Sequence, residues 1–353
     1  MTLPSSLTAL PDSRRPDPRS VPVLRWGLLG TGWIAERFAA SLRANTDQQV
    51  VAVGSRTTES ARRFATAAGI ATAHGSYEAL VDDPQVDVVY VALPHHLHRG
   101  AALQAIAAGK HVLVEKPLAL DRAEAQEVFD AAAAAGVAAV EAYWTAFLPR
   151  TDVVRQVLEN GWLGDVRTVV ADHGEHFDPP HRILDPALAG GSLLDLGTYL
   201  TTFATWVLGP ATSVFASGEP GPTGVNAQTA AVLTHARGAR SSLHTTLEAR
   251  TPTTATVGGT EGTLFLPGSW MMPGDVLLTS ADGTRTIGWT DPQPVGHGAL
   301  HHTAVEVALR LGAGELQTPL HSTEAVLTNL AALDEITRQV GVSYAQAKAS
   351  ARA

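Results

Sequence analysis

The 353-residue chain contains no cysteine. Disulfides, thiolate metal sites and a cysteine nucleophile are therefore excluded, and any redox function must borrow a cofactor. Charged residues are sparse at 17%, and the net charge is −9. That balance argues against nucleic acid or an anionic membrane surface as the main partner. No apolar run approaches the roughly 18 residues that a membrane helix needs. What remains is a chain that is 45% hydrophobic and long enough for two domains with substantial cores.

Residues 1–20 are proline-rich and lack periodicity. They are expected to form a flexible leader. Arg14-Arg15 suggests a twin-arginine export signal, but no apolar stretch follows it, so a cytoplasmic location is expected.

From residue 21 to about 145 the pattern alternates between short apolar strands and amphipathic helices. VPVLRWGLLG (21–30), VVAVGSR (50–56), VDVVYVALP (86–94), HVLVEKP (111–117) and VAAVEAYW (137–144) read as strands. The segments between them, 31–44, 59–69, 98–110 and 121–136, read as helices, with Asp121 as the cap of the last. Such alternation predicts a doubly wound α/β domain with a parallel sheet. Residues 146–353 then form a second α+β domain with a mostly antiparallel sheet. Its strands are expected over 165–177, 229–236, 239–249, 255–268 and 275–289, with hairpin signals at Arg237-Gly238 and Asp282-Gly283. Helices are expected over 299–313 and 322–339.

Gly30-Thr31-Gly32-Trp33-Ile34-Ala35 follows the first strand and opens the first helix. The spacing is that of the dinucleotide fingerprint. Gly30 permits the tight turn, Gly32 lets backbone approach a pyrophosphate, and Ala35 lets helix pack on strand. The helix N-terminus offers N–H groups to the phosphates. At the end of the second strand, where an acidic residue would accept a ribose 2′-OH, stand Ser55 and Arg56. A hydroxyl and a guanidinium suit a 2′-phosphate, so NADP is expected over NAD.

Further features follow in order: ALPHHLH (92–98), Glu115-Lys116-Pro117, EAYWTAFLP (141–149) and Gly190-Gly191-Ser192-Leu193-Leu194-Asp195-Leu196-Gly197-Thr198-Tyr199. Together with the glycine turn they resemble the Gfo/Idh/MocA family of pyridine-nucleotide oxidoreductases over residues 22–340. The wording of EAYWTAFLP and of the residues from His181 to Tyr199 is similar to the branch containing dimeric dihydrodiol dehydrogenase and NADP-dependent D-xylose dehydrogenase. Many family members have His where this chain has Tyr199; that branch has Tyr. The resemblance implies Lys116 and Tyr199 as the catalytic pair, with Asp195 shaping the site. It places Pro94 and His98 in a loop near the nicotinamide ribose, and Pro117 after the lysine, often in a cis peptide. It implies Trp144 as a wall of the substrate pocket and pairing of subunits through the second sheet, as a homodimer or homotetramer.

The residues can do this chemistry. Lys116 lies at the carboxyl end of a strand, where open sheets bind ligands. Its ammonium would stabilise a developing alkoxide and favour tyrosinate. Tyr199, with a reference pKa of about 10, needs such a cation to work near neutral pH. Asp195 lies four residues before Tyr199, on the same face of a helix. Glu115 is expected to contribute backbone more than charge. Phe177, His181 and Arg182 occupy a loop that would cover the pocket. No histidine cluster has the spacing of a metal site, and hydride transfer needs none, so no metal is expected. The expected substrate is a small sugar, polyol or trans-dihydrodiol. The rival readings are a ketoreductase of a keto sugar, including a nucleotide-linked one, and a non-catalytic cofactor-binding regulator.

Overall fold

The computed structural model describes Pro4, residues 6–292 and residues 296–351. The chain divides into two compact units. A parallel-sheet unit holds 16–147 together with 296–326. An antiparallel-sheet unit holds the described residues of 1–15, 148–295 and 327–353.

In the parallel-sheet unit, strands β1 (Arg25–Leu29), β2 (Gln49–Gly54), β3 (Thr72–His74), β4 (Val88–Val91), β5 (His111–Glu115) and β6 (Ala139–Ala142) alternate with helices. These are α1 (Trp33–Asn45), α2 (Thr58–Ala68), α3 (Tyr77–Val81), α4 (His98–Ala107) and α5 (Arg122–Ala135). The strand order is β3-β2-β1-β4-β5-β6, all parallel. The central strands are apolar along their length because helices cover both faces of such a sheet. Helix α1 buries Ala35, Phe38, Ala39 and Leu42, the stripe its sequence spacing predicts. Asp121 caps α5 as expected, accepting from the Glu124 N–H. β3 and α3 were not anticipated; at three and five residues they are too short to show a period.

The antiparallel-sheet unit begins with α6 (Pro149–Glu159) and β7 (Val166–Gly174), followed by a π-helical turn over Leu193–Gly197 and α7 (Thr198–Leu208). Then come β8 (Ala211–Pro220), β9 (Asn226–His235), β10 (Arg240–Thr246), β11 (Ala255–Gly259), β12 (Gly262–Leu266), β13 (Asp275–Ser280) and β14 (Thr286–Thr290). The order β14-β13-β12-β11-β7-β10-β9-β8 contains one parallel pair, β7 with β10. The stretch 255–268 is a hairpin turning at Thr260-Glu261, and β8 was not expected. Arg150, on α6, is buried among the carbonyls of Pro267, Trp270, Met272 and Asp275. Burial pulls its pKa down to about 10.

Two expected boundaries are corrected. The second domain is not continuous from 146: α8 (His301–Gly312) and its flanks belong to the parallel-sheet unit. There α8 buries Val305 and Ala308 against Val21, and the Ser41 hydroxyl accepts from the His301 N–H at 3.0 Å. Helices α9 (Thr323–Gln339) and α10 (Ala345–Ser350) end the chain. The leader is also not a free tail over its described part. Arg14 makes a bidentate contact with Asp152 and reaches Glu159 at 2.8 Å, while Leu10 is buried. Met1–Leu3 and Ser5 lie outside the described residues.

Candidate active site

The turn after β1 is shaped for a close ligand approach. Gly30 has φ +111, and a Cβ there would lie 2.4 Å from the Ala92 carbonyl oxygen. Only glycine fits. Gly32, the residue before α1, faces open space, and Ala35 beneath it is fully buried. Thr31 and Ile34 are half-buried, whereas Trp33 is 53% exposed at the mouth of the turn. A cradle that a side chain would fill, opening onto a helix N-terminus, fits a dinucleotide phosphate. Ser55 and Arg56 follow β2, with Arg56 exposed.

Lys116 leaves the carboxyl end of β5 on a loop held at several points. The Glu115 carboxylate accepts from Tyr90 Oη at 2.5 Å and from the Lys116 N–H at 3.2 Å. The Glu115 side chain thus braces the start of the loop. Lys116-Pro117 is a cis peptide. The Pro117 carbonyl lies 2.8 Å from His98 Nδ1, and His98 Nε2 lies 2.7 Å from the Leu93 carbonyl. His98 is fully buried. Its ring ties the loop after β4, with Pro94, to the loop after β5. Next along the chain, the Leu118 N–H donates to Glu141 at 2.7 Å, and the other Glu141 oxygen meets His321 Nε2 at 2.7 Å. Glu141 and His321 are both buried. Trp144, 3% exposed, stacks on His297.

In the antiparallel-sheet unit, Asp195 sits in the π-helical turn and Tyr199 in the first turn of α7. A wider turn still carries the fourth residue round to the same side, and π turns are common at functional sites. Both residues are buried, Asp195 at 6% and Tyr199 at 8% exposure. Arg182 Nη2 lies 2.9 Å from Asp195 Oδ2. His173 packs its ring beside Tyr199, centroids 5.7 Å apart, and bonds Glu175 at 2.9 Å. The glycine pair upstream is demanded locally: Gly191 has φ +117, and a Cβ on Gly190 would meet the Ile183 carbonyl oxygen at 2.4 Å. Phe177 packs on a small core of Ile183, Leu196, Val225 and Leu247, and its ring lies 4.6 Å from that of His181.

Beside the expected residues Gly30, Gly32, Lys116, Asp195 and Tyr199, the structure also draws attention to Tyr90, Glu141, His321, His173 and His297, none of which was an expected site residue. The one available signal was Glu141, an acidic residue inside an otherwise apolar strand. Among the described residues, no group of three or more His, Asp or Glu side chains is placed to hold a metal, and no helix is long and apolar enough to cross a membrane.

Residues 24–143 match the profile described as the oxidoreductase family with NAD-binding Rossmann fold. Residues 151–265 match the GFO/IDH/MocA C-terminal domain. The chain belongs to the Gfo/Idh/MocA oxidoreductase family. It is 34% identical over 339 residues to trans-1,2-dihydrobenzene-1,2-diol dehydrogenase of Bos taurus, covering 92% of this chain and 99% of that protein. A 3-ketoreductase from Actinomadura kijaniata, solved with NADP and TDP-benzene, superposes with TM-score 0.78 at 26% identity, over 90% of this chain and 98% of that one. A levoglucosan dehydrogenase in complex with NADH and levoglucosan shares the fold, with TM-score 0.81 at 20% identity, covering 90% and 97%. As a member of the family this protein is an oxidoreductase of CH–OH groups that uses a nicotinamide cofactor.

Proposed function

We propose that the protein is an NADP-dependent dehydrogenase oxidising a hydroxyl of a sugar, polyol or trans-dihydrodiol, with Lys116 and Tyr199 handling the proton. The observation that carries this reading is the Lys116 loop, pinned by Glu115, His98 and Glu141 at the carboxyl end of β5. Three separate polar contacts on one short loop hold a lysine backbone in a fixed place, as an electrostatic catalyst requires. When bound, the nicotinamide accepts the hydride from the substrate carbon. Lys116 supplies positive charge to the developing alkoxide. Tyr199 takes the hydroxyl proton. Asp195, held by Arg182, accepts a hydrogen bond from a second substrate hydroxyl. Trp144 offers an apolar wall. The exposed Arg56, with Ser55 beside it, supports NADP because both suit a 2′-phosphate. Diol specificity is favoured by the 34% identity to the bovine dihydrodiol enzyme. The same groups run in reverse would reduce a keto sugar, a reading supported by the likeness to the 3-ketoreductase.

A homodimer through the antiparallel sheet belongs to this reading. Phe215 pairs with Val232 and Val232 with Ser242, which pairs with Val170. These three apolar residues are 72%, 40% and 50% exposed in one row across the open face. Such a row on a monomer surface marks an association face.

The test follows reduced nicotinamide by absorbance with purified protein, NADP or NAD, and a panel of trans-dihydrodiols, aldoses and polyols. Growth of NADPH with at least one compound, faster than NADH and weakened by Arg56→Ala, is expected. No turnover in either direction with any member of the panel or its ketone would sink the reading.

A further inference from the structure

His297 stands far beyond the last strand of the parallel sheet, in a stretch that neither family profile covers. Its ring stacks on Trp144 with centroids 5.3 Å apart and planes 14° from parallel. It also meets the edge of Trp33, at 4.7 Å and 77°. The turn that carries it, Gly296–Ala299, is anchored to α1. Ser41 Oγ donates to the Gly298 carbonyl at 2.6 Å, and Asn45 Nδ2 donates to the same oxygen at 3.3 Å.

The two tryptophans mark opposite sides of the ligand edge. Trp33 begins α1, directly after Gly32, while Trp144 follows β6. The strand order places β4 and β5 between them, with the loops that carry Pro94 and Lys116. Open α/β sheets take their ligand outside this edge, with the diphosphate at the helix N-terminus. The stack Trp33–His297–Trp144 therefore bridges the edge on which the nicotinamide half of a dinucleotide must lie. Arg37 lies 5.6 Å from the Trp33 ring, adding positive charge beside the glycine turn. A residue kept only for packing needs no polar atoms. Imidazole brings ring nitrogens that can bond a phosphate or ribose oxygen.

We propose that His297 is a cofactor-binding residue supplied from outside the Rossmann segment, contacting the diphosphate and adjoining ribose and slowing their release. This rests on the nicotinamide site of the family and not on the roles of Lys116 and Tyr199.

The experiment titrates NADPH and NADH by their own fluorescence and measures release by stopped flow, in wild type, His297→Ala and His297→Phe. Melting temperature reports folding of each variant. His297→Ala is expected to weaken binding about tenfold, with most of the change in the release rate. His297→Phe keeps a ring between the tryptophans and loses the nitrogens, so about threefold weakening is expected. It also serves if the alanine variant fails to fold. Wild-type affinity and release in either folded variant would overturn the proposal. A wild-type protein that binds neither nucleotide would instead fail the cofactor assignment itself.

Discussion

The two units hold their site residues in different ways. In the parallel-sheet unit, the Lys116 loop is fixed by buried groups that act on backbone: Glu115 on the Lys116 N–H, His98 on the Pro117 carbonyl, Glu141 on the Leu118 N–H. In the antiparallel-sheet unit, Asp195 is paired with Arg182, whose side chain is 48% exposed, next to a loop that carries the exposed His176 and Asp178. Under the proposed function the contrast would be a division of labour between a cofactor side and a substrate side. A cofactor is the same molecule in every turnover, so its side rewards rigid placement. A substrate pocket that must suit one compound among many is better built from side chains at a solvent boundary, where replacement disturbs folding little.

That comparison can be broken in order of effect. Glu141→Ala leaves His321 buried without its carboxylate and the Leu118 N–H without its acceptor. A loss of about 3–5 kcal/mol in urea unfolding is expected. A loss below about 1 kcal/mol would mean the loop is not held this way. Acid should act on the same unit. Burial drives the His301 pKa down to about 4, so the unfolded chain binds a proton that the folded one refuses between about 4 and the ordinary 6.5. Stability is then complete above pH 6.5 and falls as pH drops towards 4, by about 3 kcal/mol at most. His301→Asn should flatten that part of the stability curve; an unchanged slope would contradict the assignment.

Arg182→Leu addresses the other unit. The half-exposed arginine is lost and the buried Asp195 loses this partner, so folding should change by about 1–3 kcal/mol. KM for the substrate should rise about tenfold, more than kcat falls. Equal loss in both would place Arg182 in the transition state and not in substrate binding. The smallest effect belongs to the N-terminal strap. Arg14→Ala removes contacts to Asp152 and Glu159, the arginine being 51% exposed, and should cost about 1 kcal/mol with kcat unchanged.

Much of the parallel-sheet unit was legible because its signals are local. Buried strands are apolar runs, the glycine turn is a fixed spacing, and Asp121 is a cap. The antiparallel unit was legible as strands but not as boundaries, since Thr260-Glu261 carries no strong turn chemistry and β8 alternates with small polar residues. The return of 296–326 to the parallel-sheet unit was hidden for a different reason. Ser41 and His301 lie 260 positions apart, and nothing in either segment alone reports the pairing. The same holds for Glu141 with His321 and for Trp33 with His297. Lys116, Asp195 and Tyr199 were expected from local spacing together with a family resemblance, whereas several groups that brace their surroundings, such as Glu141 with His321, are long-range partners.

Under the proposed function Lys116 and Tyr199 act in proton handling on top of a cofactor site that stands without them. This is tested most directly by single-turnover hydride transfer in Lys116→Met and Tyr199→Phe, with cofactor affinity measured on the same preparations. Each variant is expected to bind NADPH within a few-fold of wild type and to lose about 10²–10⁴-fold in the rate of hydride transfer. Hydride transfer at the wild-type rate in Tyr199→Phe, with cofactor bound, would contradict it.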